Sequence, residues 1–186
     1  LELLDGLWFC GVRNYPILGH FPDQFQLTLK GMYAQKGWSR ESVYRFVTEV
    51  YRACRPDVVV TQDVNGEYGH GAHRAAADAA QAAVALAADA SYQKKMAHSE
   101  PWQIKKLYIH LYEQNPVKMD WRKPLAAFEG RTAFDVACRA FACHISQQRT
   151  DYHVEDFGPY DNSRFGLAFS AVGEDTRKDD FFEHVE

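Results

Sequence analysis

The sequence has no excess of positive charge and no long apolar stretch. Lys and Arg number 21 against 25 Asp and Glu, so the 186-residue chain carries a formal charge of -4 at pH 7. Because no basic field is available to hold a polyanion, nucleic acid is not expected as a partner. A run of about 18 apolar residues is also missing, so no membrane-spanning helix is predicted. The opening residues, LELLDGLWFC, lack the basic region and cleavage site of a signal peptide.

Closely spaced cysteine pairs are missing as well. The four cysteines lie in apolar-periodic segments and show no CxxC spacing: Cys10, Cys54, Cys138 and Cys143. Disulfide frameworks and cysteine-ligated metal sites normally show closer or more regular spacing. These residues are therefore predicted to be reduced thiols in the core of a cytoplasmic protein.

What the chain does have is the length and apolar content of one domain. It is 46% hydrophobic and 25% charged, without an internal repeat or a low-complexity linker. We therefore predict a single domain over residues 1–186.

The order of predicted elements favours an α/β fold. DVVVTQD (57–63) is typical of a parallel strand buried on both faces, and HGAHRAAADAAQAAVALAAD (70–89) of a helix. SRESVYRFVTEVYRAC (39–54), with Ser39 as N-cap, and TAFDVACRAFACHISQQ (132–148) are further helices. VRNYPILG (12–19) and KKLYIHLY (105–112) are predicted strands. Residues 114–131 are predicted to be irregular, and the tail from residue 153 to pack over the rim of the domain.

Strand, loop and helix in this order predict a Rossmann-like, three-layer domain with a mostly parallel sheet and helices on both faces. In such sheets ligands bind at the carboxyl ends of the strands. The stretch NGEYGHGAHR (65–74) falls at such an end. It is therefore the first place to look for a site.

Two histidines of this stretch share one face of the predicted helix. His70 and His73 are three positions apart at the helix start, where the helix dipole favours neutral imidazole, the form that binds a metal. Two histidines are only part of a site, since catalytic zinc usually takes three protein ligands. The alternative is a helix cap with two solvated histidines.

The neighbouring residues favour hydrolytic chemistry. Gly66 and Gly69 allow the backbone to approach a ligand closely, and the exposed N–H groups of a first helical turn attract an anion or a developing oxyanion. Tyr68 can donate a hydrogen bond to such an oxyanion. Together these residues are typical of one half of a hydrolytic site.

The segment RPDVVVTQDVNGEYGHGAHRAA (55–76) resembles the second signature of the LmbE-like, or PIG-L, family of zinc-dependent de-N-acetylases. The resemblance implies a metal-dependent hydrolase that removes the acetyl group from an N-acetylglucosamine-type amino sugar. By the same resemblance, His73 is a ligand of Zn²⁺, His70 is the catalytic histidine and Tyr68 is a mobile oxyanion donor.

Two further segments carry the resemblance. CHISQQ is similar to the family's His-x-Ser-Gln element, and in GHFPDQ the position of Asp23 binds sugar hydroxyls in related enzymes. Asn65 and Glu67 are predicted to contact substrate from the loop of Tyr68. For Glu67, a solvated loop carboxylate is the alternative.

The sequence also departs from the family pattern. Gly71 and Ala72 replace the family's Pro-Asp between the histidines, which removes a carboxylate that tunes His70. The first family signature, Ala-His-Pro-Asp-Asp-Glu, with two zinc ligands and the general base, does not occur. Glu2 and Leu3 resemble a remnant of the Arg-x-x-Glu-Leu helix that follows it.

We therefore expect that the N-terminal part of the domain is missing. The rival interpretation is a non-catalytic fragment or pseudoenzyme that keeps a carbohydrate-binding crevice. An exposed strand edge and exposed apolar helix faces in such a chain predict self-association, for example into a homo-oligomer, or poor stability.

Overall fold

The computed structural model describes residues 1–92, 100–148, 154 and 157–186. Its helices are α1 (Glu2–Phe9), α2 (Leu29–Tyr33), α3 (Arg40–Cys54), α4 (Gly71–Ala88) and α5 (Ala133–Ala142). Its strands are β1 (Val58–Thr61), β2 (Lys106–His110), β3 (Pro116–Lys118) and β4 (Arg164–Ser170). No helix in these described ranges is long and apolar enough to cross a membrane.

The described chain forms two compact units. One contains residues 1–17 and 119–163, and the other contains residues 18–118 and 164–186. The second unit holds the whole sheet, whereas the first contains α1 and α5. The single-domain organisation stays a prediction.

The helices begin where the capping residues predict. The Ser39 side chain accepts a hydrogen bond from the backbone N–H of Ser42, at 3.2 Å, at the start of α3. Thr132 and Asp135 form a reciprocal capping box at the start of α5. Both helices and α4 are confirmed, but α5 ends at Ala142, so His144 lies beyond it rather than in its last turns.

The sheet has the strand order β1-β2-β4-β3. Strands β1 and β2 are parallel, with Val58 beside Lys106 and Thr61 beside Ile109. β4 is antiparallel to both β2 and β3. The α/β class with parallel strands is confirmed, while the sheet as described is mixed rather than mostly parallel.

β2 is buried on both faces because two different parts of the chain cover it. Leu107 and Ile109 belong to the apolar core that α4 and α3 build on one face. On the other face Lys106 and Tyr108 contact Asp175 and Phe181 of the C-terminal segment. In this unit the second face is therefore covered by an irregular segment, where the sequence predicted a helix.

Several predicted elements are wrong. Residues 12–19 form no strand: Pro16 interrupts the run, and Tyr15, Ile17 and Leu18 are exposed. β1 is an edge strand of the described sheet, with Val60 47% exposed, rather than a strand buried on both faces. The strands β3 and β4 lie in regions that were predicted to be irregular and a rim tail.

The cysteines are free, but they do not lie in the core. Cys10, Cys54 and Cys138 are exposed and Cys143 is partly buried. Each lies in or beside a helix on a face that the described residues leave open. The apolar periodicity of their surroundings therefore predicted burial wrongly.

Candidate functional site

The candidate site lies where the parallel strands β1 and β2 end and α4 begins. β1 ends at Thr61, β2 at His110, and α4 starts at Gly71. The loop over residues 62–70 connects β1 to α4. This arrangement brings strand ends, a loop and a helix N-terminus together, as the sequence predicted for the NGEYGHGAHR stretch.

The loop is a tight turn that depends on glycine. The Gly66 N–H donates to the Asp63 carbonyl at 2.8 Å and the Gly69 N–H to the Gly66 carbonyl at 2.9 Å. Gly66 has φ +77°, and a side chain there would meet the His70 carbonyl at 2.4 Å. Only glycine fits this position, so Gly66 lets the turn close against the helix start.

Tyr68 occupies a strained position in this turn. Its φ and ψ are +56° and 22°, in the left-handed region that bulky residues rarely adopt. The side chain is 56% exposed. Its ring centroid lies 6.5 Å from that of His73 in an edge-to-face arrangement. The phenol is thus held in the open beside a histidine.

The two histidines lie side by side. The centroids of the His70 and His73 rings are 5.4 Å apart, with the ring planes nearly perpendicular. His70 is the N-cap of α4, and its Nδ1 accepts a long hydrogen bond of 3.4 Å from the Ala72 N–H. A ring whose Nδ1 accepts carries its proton on Nε2, so His70 has a proton donor on its other side.

His73 has a buried nitrogen that is left without a partner. Its Nδ1 is buried and makes no hydrogen bond among the described residues. Burial, and then the neighbouring charge of His70, lower the pKa of His73, although Glu67 opposes this. His73 is therefore neutral near pH 7, with a free lone pair or N–H.

Two more unpartnered buried atoms lie close by in the chain. They are Oε1 of Gln62, just after β1, and Nε of Arg74, in the first turn of α4. Buried polar atoms without a hydrogen bond are rare, and each calls for an explanation such as a missing ligand or water. Within the described residues, all three such atoms fall at this one junction.

The second strand contributes His110, which the sequence did not assign to the site. His110 Nδ1 lies 2.9 Å and 3.0 Å from the two carboxylate oxygens of Glu67. Oε1 of Glu67 also accepts from the backbone N–H of Asp63 at 3.0 Å. His110 is buried. Its position at the end of the neighbouring parallel strand was the signal that could have linked it to the site.

The loop that contains Asp23 contacts the site through Phe25 and Gln26. The Phe25 and His70 rings lie 5.5 Å apart, and the Gly71 N–H donates to the Gln26 carbonyl at 2.6 Å. A proline at position 71 could not donate this bond, which explains the departure from the family pattern. Asp23 itself is exposed.

Asn65 lies in the same turn and contacts Asp63. It is exposed, and its side-chain amide donates to Oδ1 of Asp63 at 3.2 Å. Contact of Asn65, Asp23 or Glu67 with a substrate stays a prediction.

The residues present can supply one ligand of a metal site. The neutral imidazole of His73, with its unpartnered nitrogen, has the donor chemistry that zinc prefers. Within the part of the chain that the structure describes, no group of three or more His, Cys, Asp or Glu could hold a metal ion. The chemistry of His73 therefore fits one ligand position of a zinc site, and the described residues do not complete such a site.

In the first unit, the segments similar to the family's Glu-Leu and His-x-Ser-Gln elements meet. Oε2 of Glu2 lies 3.0 Å from His144 Nδ1 and accepts from Ser146 Oγ at 2.8 Å. The hydrogen bonds from His144 and Ser146 lower the pKa of the Glu2 carboxyl. Glu2 thereby joins α1 to the turn after α5.

Comparison with known proteins supports a deacetylase relationship. No protein-family profile matches the chain. A 1D-myo-inositol 2-acetamido-2-deoxy-alpha-D-glucopyranoside deacetylase of Rhodococcus erythropolis is 29% identical over 170 residues, covering 73% of this chain and 57% of the relative. A second protein of that name, from Saccharopolyspora erythraea, is 38% identical over 96 residues, covering 52% of this chain and 34% of the relative.

A third relative with the same enzyme name, from Streptomyces scabiei, is 42% identical over 62 residues, which cover 33% of this chain and 19% of the relative. The chain thus spans between a fifth and somewhat more than half of the length of these relatives. All three carry the name of a deacetylase whose substrate is an acetamido sugar joined to inositol.

Proposed function

We propose that this chain belongs to the LmbE-like de-N-acetylases and is the part of a metal-dependent hydrolase that removes acetyl from an N-acetylated amino sugar. The observation that carries the proposal is the grouping of Tyr68, His70 and His73 at the end of β1, with the Nδ1 of His73 buried and unpartnered. The names of the relatives support the same reaction class.

His70 acts on the nitrogen of the acetamide group, and Tyr68 acts on its carbonyl oxygen. With Nδ1 accepting the Ala72 N–H, the neutral His70 ring presents its Nε2–H as a hydrogen-bond donor. To protonate the leaving amine, the ring first takes up a proton from solvent at Nδ1, which breaks the long hydrogen bond with Ala72, and the imidazolium then donates its Nε2 proton and returns to the neutral form. The exposed Tyr68 phenol donates a hydrogen bond to the carbonyl oxygen as negative charge develops there. Both are roles that ordinary general acid and oxyanion chemistry assigns to these side chains.

His73 would hold the metal through a ring nitrogen. Its lowered pKa keeps the ring neutral, as a ligand must be. When bound, zinc supplies Lewis-acid polarisation of the amide and of water.

The substrate is a glucosaminide with a small polar aglycone. Asp23 and Asn65 carry exposed carboxylate and amide groups on the two loops that flank the histidines. Such groups can exchange hydrogen bonds with sugar hydroxyls. The relatives are named for an acetamido sugar joined to inositol, and a substrate of this class is proposed here.

A second candidate function is sugar binding without hydrolysis. The observation that favours it is the single metal ligand in the described residues, since one histidine does not hold a catalytic zinc. In that case the surface around Tyr68 and His70 binds an acetamido sugar and releases it unchanged.

Acetate release decides between the two functions. The test uses the longer protein that would carry the remaining zinc ligands together with this chain: it is incubated with zinc and N-acetylglucosaminyl-inositol, and acetate release and sugar binding are both measured. Under the first proposal acetate is released, and His70→Ala lowers the rate by about 10²–10⁴-fold because the general acid is lost. Removal of the oxyanion donor in Tyr68→Phe lowers it by about 10²–10³-fold.

His184→Ala is the matched control, because His184 is an exposed histidine near the chain's C-terminal end. Its rate is expected to equal that of the unaltered chain. Sugar binding without acetate supports the second candidate. A chain that neither binds nor hydrolyses the sugar contradicts both.

A further inference from the structure

The carboxylate of Glu67 joins the ends of two neighbouring strands. It accepts the Asp63 N–H, just beyond β1, at 3.0 Å and faces His110 Nδ1, at the end of β2, at 2.9 Å and 3.0 Å. The side chains of Glu67 and His110 are only 15% and 4% exposed. Both carboxylate oxygens are thus engaged inside the protein, which favours a supporting role over contact with solvent or sugar.

The charge state of Glu67 agrees with a permanent pairing. Burial raises the pKa of Glu67, but the hydrogen bond with His110 and the Asp63 N–H lower it further, so that the net pKa lies below the ordinary value. The carboxylate is ionised near neutral pH. A buried charge of this kind is stable only while its partners stay in place.

Glu67 is directly followed by the strained Tyr68. A tyrosine at φ +56° is strained, and this conformation persists only where the surrounding structure holds it. Gly66 and Gly69, on either side of this pair, also have positive φ, so the backbone of the turn has little stiffness of its own. The side chain of Glu67 links this turn to the sheet.

We propose that Glu67 and His110 are positioning residues whose buried pair fixes the 66–69 turn and so presents the Tyr68 phenol beside His73. This inference deepens the proposed function and rests on it for its catalytic meaning. The positioning of the turn and of Tyr68 by this pair does not depend on the proposed function. It reassigns Glu67 from substrate contact to support and brings His110, a residue of the sheet, into the site.

The test needs a reporter at position 68 whose signal depends on the position of the ring and not on enzyme activity. 3-Fluorotyrosine is placed at Tyr68 in the full chain, and its ¹⁹F resonance is recorded. A single narrow line is expected from the unaltered protein. His110→Phe removes the donor but keeps an aromatic ring against Phe165, which lies 5.5 Å away. In this variant and in Glu67→Ala the line is expected to broaden or split.

His110→Gln is the conservative variant, since its amide can still donate to Glu67. It is expected to restore the narrow line. The same label at Tyr44, which donates to Asp78 at 2.7 Å between α3 and α4, is the control for folding. It should be unchanged in every variant, and a variant that alters the Tyr44 line is replaced by His110→Asn.

Kinetic measurements test whether the pair of Glu67 and His110 acts through Tyr68. Misplacement of a reacting group by about 1 Å can cost on the order of 100-fold in rate. His110→Phe is therefore expected to lower kcat by about 10–100-fold, with KM changed much less. In a Tyr68→Phe background the same substitution should have little further effect on kcat, because the group that it positions is gone.

An unchanged Tyr68 line in both His110→Phe and Glu67→Ala overturns the proposal. So does an equal loss of kcat in the two backgrounds. If the longer protein that would carry the remaining zinc ligands releases no acetate, the proposed function fails, whereas the ¹⁹F result on this chain is judged independently.

Discussion

Buried polar groups at the two ends of one face of β2 differ in whether they all have hydrogen-bond partners. At the start of the strand, Lys106, Tyr108 and Asp175 satisfy one another: Tyr108 Oη donates to Asp175 at 2.5 Å and Lys106 forms a fully buried ion pair with the same carboxylate. At the other end, His110 is paired with Glu67, but Nδ1 of His73 has no hydrogen-bond partner in the described part of the chain.

The difference separates a structural cluster from a site. Burial, followed by the hydrogen bond to Asp175, raises the pKa of the Tyr108 phenol, which therefore remains a proton donor. A network whose members are all satisfied fixes the packing of the chain and leaves nothing to offer a ligand. The unpartnered atoms at the other end of β2 can still form a bond with a ligand.

The largest effect on the free energy of unfolding is expected at the start of β2, where the buried polar groups are paired. Lys106→Met leaves the Asp175 carboxylate buried without its cation, and breaking a buried pair in this way costs about 3–5 kcal/mol. The free energy of unfolding from urea denaturation measures the loss. Arg177→Met is the control, because Arg177 forms an exposed pair with Asp180 and should cost less than about 1 kcal/mol. Equal losses in the two variants would contradict the structural role.

A pH-dependent effect is expected from Glu67. Its pKa is lower in the folded chain than the ordinary 4.5, so the unfolded chain takes up the proton first as the pH falls. The stabilisation is therefore complete above about pH 4.5 and is lost as the pH falls through the lower folded pKa. Urea midpoints of the unaltered chain and Glu67→Gln should converge on acidification. A constant difference between about pH 7 and pH 3 would show that the carboxylate charge is not the cause.

The smallest effect on stability is expected at His73. His73→Leu removes a buried nitrogen that has no hydrogen bond, so the free energy of unfolding should change by less than about 1 kcal/mol, while acetate release is lost. His110→Leu is the matched comparison. It strips Glu67 of its partner and should cost about 1–3 kcal/mol. A larger loss for His73→Leu than for His110→Leu reverses the assignment of the two histidines.

Local patterns in the sequence predicted the parts of the fold that depend on neighbours along the chain. The helical spacing and the Ser39 cap predicted α3, and the alanine-rich run predicted α4. The junction of His70, His73 and Tyr68 followed from these elements, because a helix start places positions three apart on one face. This is why the grouping of the three rings could be predicted.

Features set by distant partners could not be predicted in this way. β4 pairs with both β2 and β3, and nothing within residues 164–170 specifies those partners. The contact of His110 with Glu67 joins positions 43 apart in the chain. The exposure of β1 and of three cysteines likewise depends on what covers a surface, which periodicity does not encode.

The central claim is that the carboxyl ends of β1 and β2, and not the Lys106 end, bind an acetamido sugar. The most direct measurement is a titration of the chain with N-acetylglucosaminyl-inositol, with and without zinc, followed by NMR of the histidine and tyrosine side chains. The account predicts shifts at His70, His73 and Tyr68 and none at Tyr108. Unchanged histidine resonances at saturating sugar, or shifts centred on Tyr108, would contradict it.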